Sequence, residues 1–107
     1  MTPEGKVKAD VKKLLKAHGC VSASEVGKSQ GGDGWYFMPS QNGMGVKSIP
    51  DFIGCHKGRF FCIETKAPKK APTQLQWMQM GLISSAGGEC FVVSGDTGLD
   101  TLEEWLK

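Results

Sequence analysis

The chain has no apolar run long enough to cross a bilayer, which excludes a membrane-spanning helix. Its first residues, Met1-Thr2-Pro3-Glu4-Gly5-Lys6, lead into a charged segment without the apolar core of a secretory signal. An intracellular, cytoplasmic protein is the expectation. The four cysteines form no Cys-x-x-Cys pair, and the two histidines, His18 and His56, complete no metal-ligand spacing with them. Cys20, Cys55, Cys62 and Cys90 therefore read as buried free thiols in a reducing compartment, the last three lying in apolar, strand-like runs. A large excess of either charge is lacking: the formal net charge is only +2, so bulk charge does not mark a nucleic-acid binder. Gly27-Lys28-Ser29 has Ser22 where a phosphate-binding P-loop needs its first glycine, and no strand-to-helix switch follows it. No Ser-His-acid arrangement can be read, and Cys55 and His56, adjacent in a strand, would point to opposite faces. There is no internal repeat.

What remains is a chain of 107 residues with 39% hydrophobic and 22% charged residues, expected to form a single domain over 1–107. Val7, Val11, Leu14 and Leu15 give the stripe of an amphipathic helix from about Pro3 to Ala17. Thr2 is its N-cap, Pro3 its first residue and Gly19 its stop. Residues 21–26 read as a short strand or irregular structure, and a Gly-rich loop follows over Gly27–Gly34. Trp35 to Met38 is a strand ended by Pro39, and a second loop with Gly43 and Gly45 runs from Ser40 to Ser48. Two apolar runs joined by Lys57-Gly58 make a hairpin. A helix from about Thr73 to Ala86 carries Leu75, Met78, Leu82 and Ile83 on its apolar stripe and stops at Gly87-Gly88. Glu89 to Val93 is a buried strand, and a last helix covers roughly Leu99 to Leu106 with an Asp100/Glu103 or Thr101/Glu104 capping pair. The order α-β-β-β-α-β-α, with strands apolar on both faces, implies an α/β fold: a mixed sheet flanked by helices. Trp35, Tyr36 and Trp77 read as packing groups.

Charge is unevenly distributed. Lys6, Lys8, Lys12, Lys13 and Lys16 crowd the first helix, and Lys66, Lys69 and Lys70 follow the hairpin. Such a distribution suits either local patches facing phosphates or an ordinary solvated helix face.

The hairpin carries the most informative pattern. With Lys57 and Gly58 as its loop, His56 faces Arg59, Ile53 faces Cys62, and Asp51 lies opposite Glu64. Two carboxylates about 5 Å apart repel by about 3 kcal/mol at an effective dielectric of about 20. A purely structural hairpin would avoid that pairing, whereas a cation site would use it. Lys66, two residues beyond Glu64, shares its face. Glu4 lies on the inward side of the first helix; an acidic residue there serves the helix dipole, and its orientation leaves a part in the site open.

Ser48-Ile49-Pro50-Asp51-Phe52-Ile53-Gly54, Gly58-Arg59-Phe60-Phe61-Cys62-Ile63-Glu64-Thr65-Lys66 and Gln74-Leu75-Gln76-Trp77 together resemble the PD-(D/E)XK nuclease core. More narrowly, they are similar to the virus-type replication-repair nuclease (VRR-NUC) family, whose Gln-x-x-Trp motif the last segment matches. The resemblance runs from the helix holding Glu4 through Val93. It implies a restriction-endonuclease-like core and a metal-dependent DNA endonuclease that hydrolyses phosphodiester bonds. Asp51 and Glu64 would then hold Mg²⁺ or Mn²⁺, with the backbone carbonyl of Thr65 as a third ligand and Glu4 near the ion directly or through water. Lys66 would hold the attacking water, and Gln74 would orient the site or contact the phosphate backbone. Lys47, Ser48, Lys69 and Lys70 would contact DNA. Stand-alone relatives resemble Holliday-junction resolvases, so the implied partner is branched DNA and the implied assembly a homodimer, with no organic cofactor and no membrane. A phage origin would place it in bacterial cytoplasm. A sequence-specific restriction-type endonuclease and a non-catalytic DNA-binding module with the same fold are the rival readings.

Overall fold

The computed structural model describes residues 1–40 and 45–107. Helix α1 (Pro3–Ala17) begins where the Thr2 hydroxyl accepts the Gly5 N–H at 2.9 Å; such a cap contributes about 1 kcal/mol. It buries Val7, Val11 and Leu15. Strand β1 (Cys20–Ser22) and a single 3-10 turn (Ala23–Glu25) occupy the segment that sequence left open, with Ser22 and Glu25 closing a capping box. Strands β2 (Gly34–Phe37), β3 (Phe52–His56) and β4 (Arg59–Lys66) follow, then helix α2 (Gln74–Ser85), strand β5 (Glu89–Ser94) and helix α3 (Leu99–Leu106). Gly43, in the loop expected between β2 and β3, lies outside the described residues.

The sheet order is β1-β2-β3-β4-β5. The outer pairs β1–β2 and β4–β5 are parallel, and the inner pairs β2–β3 and β3–β4 are antiparallel. Lys57 and Gly58 have φ of 51° and 81°. A two-residue hairpin loop with both centres at positive φ follows the right-handed twist of its strands, and glycine takes that conformation without strain. The turn fixes the register His56↔Arg59 through Phe52↔Ile63. A second glycine is required by close approach: a Cβ on Gly54 would collide with the Trp35 carbonyl of the neighbouring strand.

One face of the sheet is covered by α1 and α3. Phe52, Phe61, Ile63, Phe91 and Val93 pack there with Val7, Val11, Leu15, Leu102 and Leu106. Each large side chain so buried contributes about 1.5–3 kcal/mol. The turn end of the hairpin is tied to the C-terminal carbonyls of α3, which have no partner within the helix. His56 Nε2 donates to the Leu106 carbonyl at 2.7 Å, and Lys57 Nζ and Arg59 donate to those of Lys107 and Trp105. Because His56 Nε2 donates, its Nδ1 is the acceptor that faces the Cys20 thiol at 3.4 Å. Anchored there, the hairpin holds its opposite end, with Asp51 and Glu64, in a fixed place.

The other face is less covered than the sequence suggests. Cys55, expected to be buried, is exposed, and Trp35 and Phe60 are each 44% exposed. Helix α2 packs against β5 and buries Met80 alone. Leu75, Met78 and Leu82 of the expected apolar stripe, and Trp77, expected as a packing group, are all more than half exposed. The reason is that α2 carries apolar residues around its circumference, so only one of them can meet the sheet. At α3 the capping pair does not form: Gly98, at φ 91°, is the N-cap and no side chain bonds there.

Candidate active site

The site lies where β3 begins and β4 ends. Buried Pro50 delivers Asp51 one residue before the first ladder pair, Phe52↔Ile63. At that point the Asp51 side chain takes up the neighbouring strand: Oδ2 accepts the Thr65 N–H at 3.0 Å and the Thr65 hydroxyl at 2.7 Å. On its other side the Asp51 carboxylate meets the Glu64 carboxyl through a hydrogen bond.

Glu64 is only 2% exposed, and among the described residues its Oε2 has no hydrogen-bond partner. Burial, then the hydrogen bond with Asp51 and the charge of Asp51, push its carboxyl up to about 8; Lys66 pulls it down and Glu4 pushes it up. In Asp51 burial also acts upward. It is outweighed by the hydrogen bonds from Glu64 and from the Thr65 hydroxyl and N–H, and by the charge of Lys8, so the Asp51 carboxyl lies below its ordinary range. The two shifts run in opposite directions, so the pair draws a proton toward Glu64 rather than Asp51.

Lys66 ends β4, half-buried, on the strand face of Glu64, and pairs in register with Ser94 of β5. Glu4, in the first turn of α1, pairs with Lys8 at 3.3 Å. Both belong to the electrostatic environment of the carboxylates. Gln74 is the first residue of α2 and is exposed; among the described residues no hydrogen bond joins it to the carboxylates. Lys47 is exposed, its carbonyl accepting from Gln79 of α2 at 3.3 Å, and Ser48 is half-buried at φ 65°. Lys69 and Lys70 are exposed on a turn closed by Lys70 N–H to the Ala67 carbonyl at 3.0 Å. The Ser94 hydroxyl reaches the carbonyls of Ala67 and Lys70 at 2.8 and 3.1 Å, tying that turn to β5.

Three roles were missed in the sequence: the charge of Lys8 acting on Asp51, the tie that Ser94 makes to the Lys70 turn, and the side chain of Thr65, of which only the backbone carbonyl was expected at the site. Lys8 could have been found from its i, i+4 spacing to Glu4. Ser94 could not, because its place beside Lys66 depends on a crossover register. Nor could the role of the Thr65 hydroxyl, since a β-branched side chain in a strand is unremarkable.

Among the described residues no group of three His, Cys, Asp or Glu side chains converges. The two carboxylates nevertheless suit a hard divalent cation that keeps several waters. A buried oxygen without a partner, beside a second carboxylate that is charged, is an acceptor set a cation would satisfy. Binding would require Glu64 to lose its proton.

No protein-family model matches the chain, and no curated protein matches it. Its fold is similar to that of Hjc, a Holliday junction resolvase from the archaeal hyperthermophile Archaeoglobus fulgidus. The TM-score is 0.55 at 15% sequence identity, and the match covers 84% of this chain and 66% of that one. At that identity the likeness is one of fold.

Proposed function

We propose that the chain is a metal-dependent, structure-specific DNA endonuclease of the PD-(D/E)XK type, within the VRR-NUC family, that hydrolyses phosphodiester bonds in branched DNA such as Holliday junctions. The observation that carries the reading is the buried Glu64 Oε2, without a hydrogen-bond partner among the described residues, beside Asp51 and with Lys66 on the same strand face. Leaving such a group unsatisfied costs about 1–3 kcal/mol. A module that only bound DNA would have no use for that cost. The shared fold with a Holliday junction resolvase supports the substrate class.

In this reading Asp51 and Glu64 would hold Mg²⁺ or Mn²⁺ with the Thr65 carbonyl, and Glu4 would stand near the ion directly or through water. The cation supplies Lewis-acid polarisation of the phosphate and a more acidic water. Lys66 positions the attacking water and balances charge as it adds to phosphorus and the P–O bond to the leaving nucleotide breaks. Gln74 orients the phosphate backbone. Lys47, Ser48, Lys69 and Lys70 flank the site on two loops and contact neighbouring phosphates. Two strands of a junction need two sites, and we assign the exposed Leu75, Met78 and Leu82 face of α2 to a second copy of the chain. The free thiols fit a reducing cytoplasm.

A synthetic four-way junction, a flap and a linear duplex, each incubated with Mn²⁺ or with chelator, test the proposal. Cutting of the junction in Mn²⁺ alone is expected. Cutting of the linear duplex at one sequence would favour a restriction-type enzyme, and no cutting of any substrate would end the nuclease reading.

A further inference from the structure

Thr65 lies on the face of β4 opposite to Glu64 and Lys66, and its side chain is fully buried. Both of its donors nevertheless converge on one atom. Its N–H at 3.0 Å and its hydroxyl at 2.7 Å point to Asp51 Oδ2. A buried threonine hydroxyl can bond a backbone carbonyl within its own sheet, and this one bonds a carboxylate in a short, charge-assisted contact instead. Asp51 precedes β3 and so lacks a ladder partner on its own backbone that would fix its side chain. The two Thr65 bonds are what hold its Oδ2.

We infer that Thr65 is a positioning residue: its hydroxyl locks the Asp51 carboxylate through Oδ2 and so presents the remaining oxygen, beside Glu64 Oε2, to the divalent cation. This rests on the cation site proposed above. It gives the residue between the acidic and basic members of Glu64-Thr65-Lys66 a side-chain role distinct from its backbone carbonyl. It also explains why one strand face can carry Glu64 and Lys66 while the other face controls Asp51.

Thr65→Val removes the hydroxyl at nearly constant volume and keeps the N–H bond; Thr65→Ser keeps both donors. Mn²⁺ affinity is measured by electron paramagnetic resonance at about pH 8, with thermal melting as the check on folding and junction cleavage at saturating Mn²⁺ giving kcat and KM. Groups that orient a metal ligand typically change metal affinity by roughly 10–100-fold, and that loss is expected for Thr65→Val, with KM for DNA unchanged. Thr65→Ser should restore affinity to within about 3-fold of wild type, since the orienting bond is kept. Should Thr65→Val not fold, Thr65→Ala, which also keeps the N–H, takes its place. A folded variant without the hydroxyl that binds Mn²⁺ as wild type does would overturn the inference. So would a Thr65→Ser protein as defective as Thr65→Val. Absence of Mn²⁺ binding by wild type would instead overturn the cation site itself.

Discussion

The Glu64 carboxyl and the Asp51 carboxylate hydrogen-bond each other at the open end of the β3–β4 hairpin, and their proton affinities are driven in opposite directions. Burial, uncompensated at Oε2, leads the rise in Glu64, while Thr65 helps to keep Asp51 charged. Divergent affinities in adjacent carboxyls are the physical mark of a candidate functional site. They also determine how the protein responds to pH.

Glu64 rises from an ordinary value of 4.5 to about 8 in the folded chain, so the folded state holds a proton that the unfolded state has lost between those values. Its contribution to stability is fully present below about 4.5 and is lost as pH rises toward about 8. Asp51, whose shift is downward, acts only at the acid end. Without metal, thermal melting should therefore fall between about pH 5 and pH 8, by at most about 1.4 kcal/mol per pH unit for the single proton. Glu64→Gln should flatten that slope. A wild-type melting temperature that rises across this range would contradict the assignment.

Asp51→Asn, Glu64→Gln and Lys66→Ala should each lower junction cleavage by roughly 100-fold or more, the scale on which removal of a charge-stabilising group is felt. The three should separate on Mn²⁺ binding: the two carboxylate variants lose it, and Lys66→Ala keeps it. Normal cutting by Lys66→Ala would remove the role given to that residue.

Lys69 and Lys70 sit exposed on the turn that Ser94 fastens to β5. If each meets a phosphate, replacing one by alanine should reduce the slope of log affinity against log salt by about 1, uniformly across DNA sequences. Unchanged slopes in both variants would remove the turn from the DNA interface.

Leu82 is 70% exposed on the apolar face of α2. Leu82→Glu should convert a dimer to a monomer in sedimentation equilibrium and leave the folding stability of the chain within about 0.5 kcal/mol, as is usual for exposed positions. A wild-type protein that is monomeric throughout, or a variant that still dimerises, would free that face from the role.

The parts legible in the sequence are those governed by short-range rules. Thr2 and Pro3 start α1 where capping chemistry requires, and Lys57-Gly58 sets a register that carries through to Phe52↔Ile63. From that register the Asp51–Glu64 contact follows by counting. The parts not legible depend on what covers a surface. Leu75, Met78 and Leu82 read as an inward stripe and Trp77 as a packing group, yet all four are exposed, because α2 is apolar around its circumference and its stripe does not decide which side meets the sheet. Cys55 and Phe60 look like core residues on a strand, and only the incomplete cover over their face leaves them exposed. The Thr65 side chain carried no signal because its importance lies in reaching around the strand end to Asp51.

The number of Mn²⁺ ions bound per chain at about pH 8, compared between wild type and Asp51→Asn, tests the carboxylate cradle most directly. The proposed site predicts one tight ion per chain in wild type and none of comparable affinity in the variant. Equal binding by the two proteins, or no binding by wild type, would contradict it.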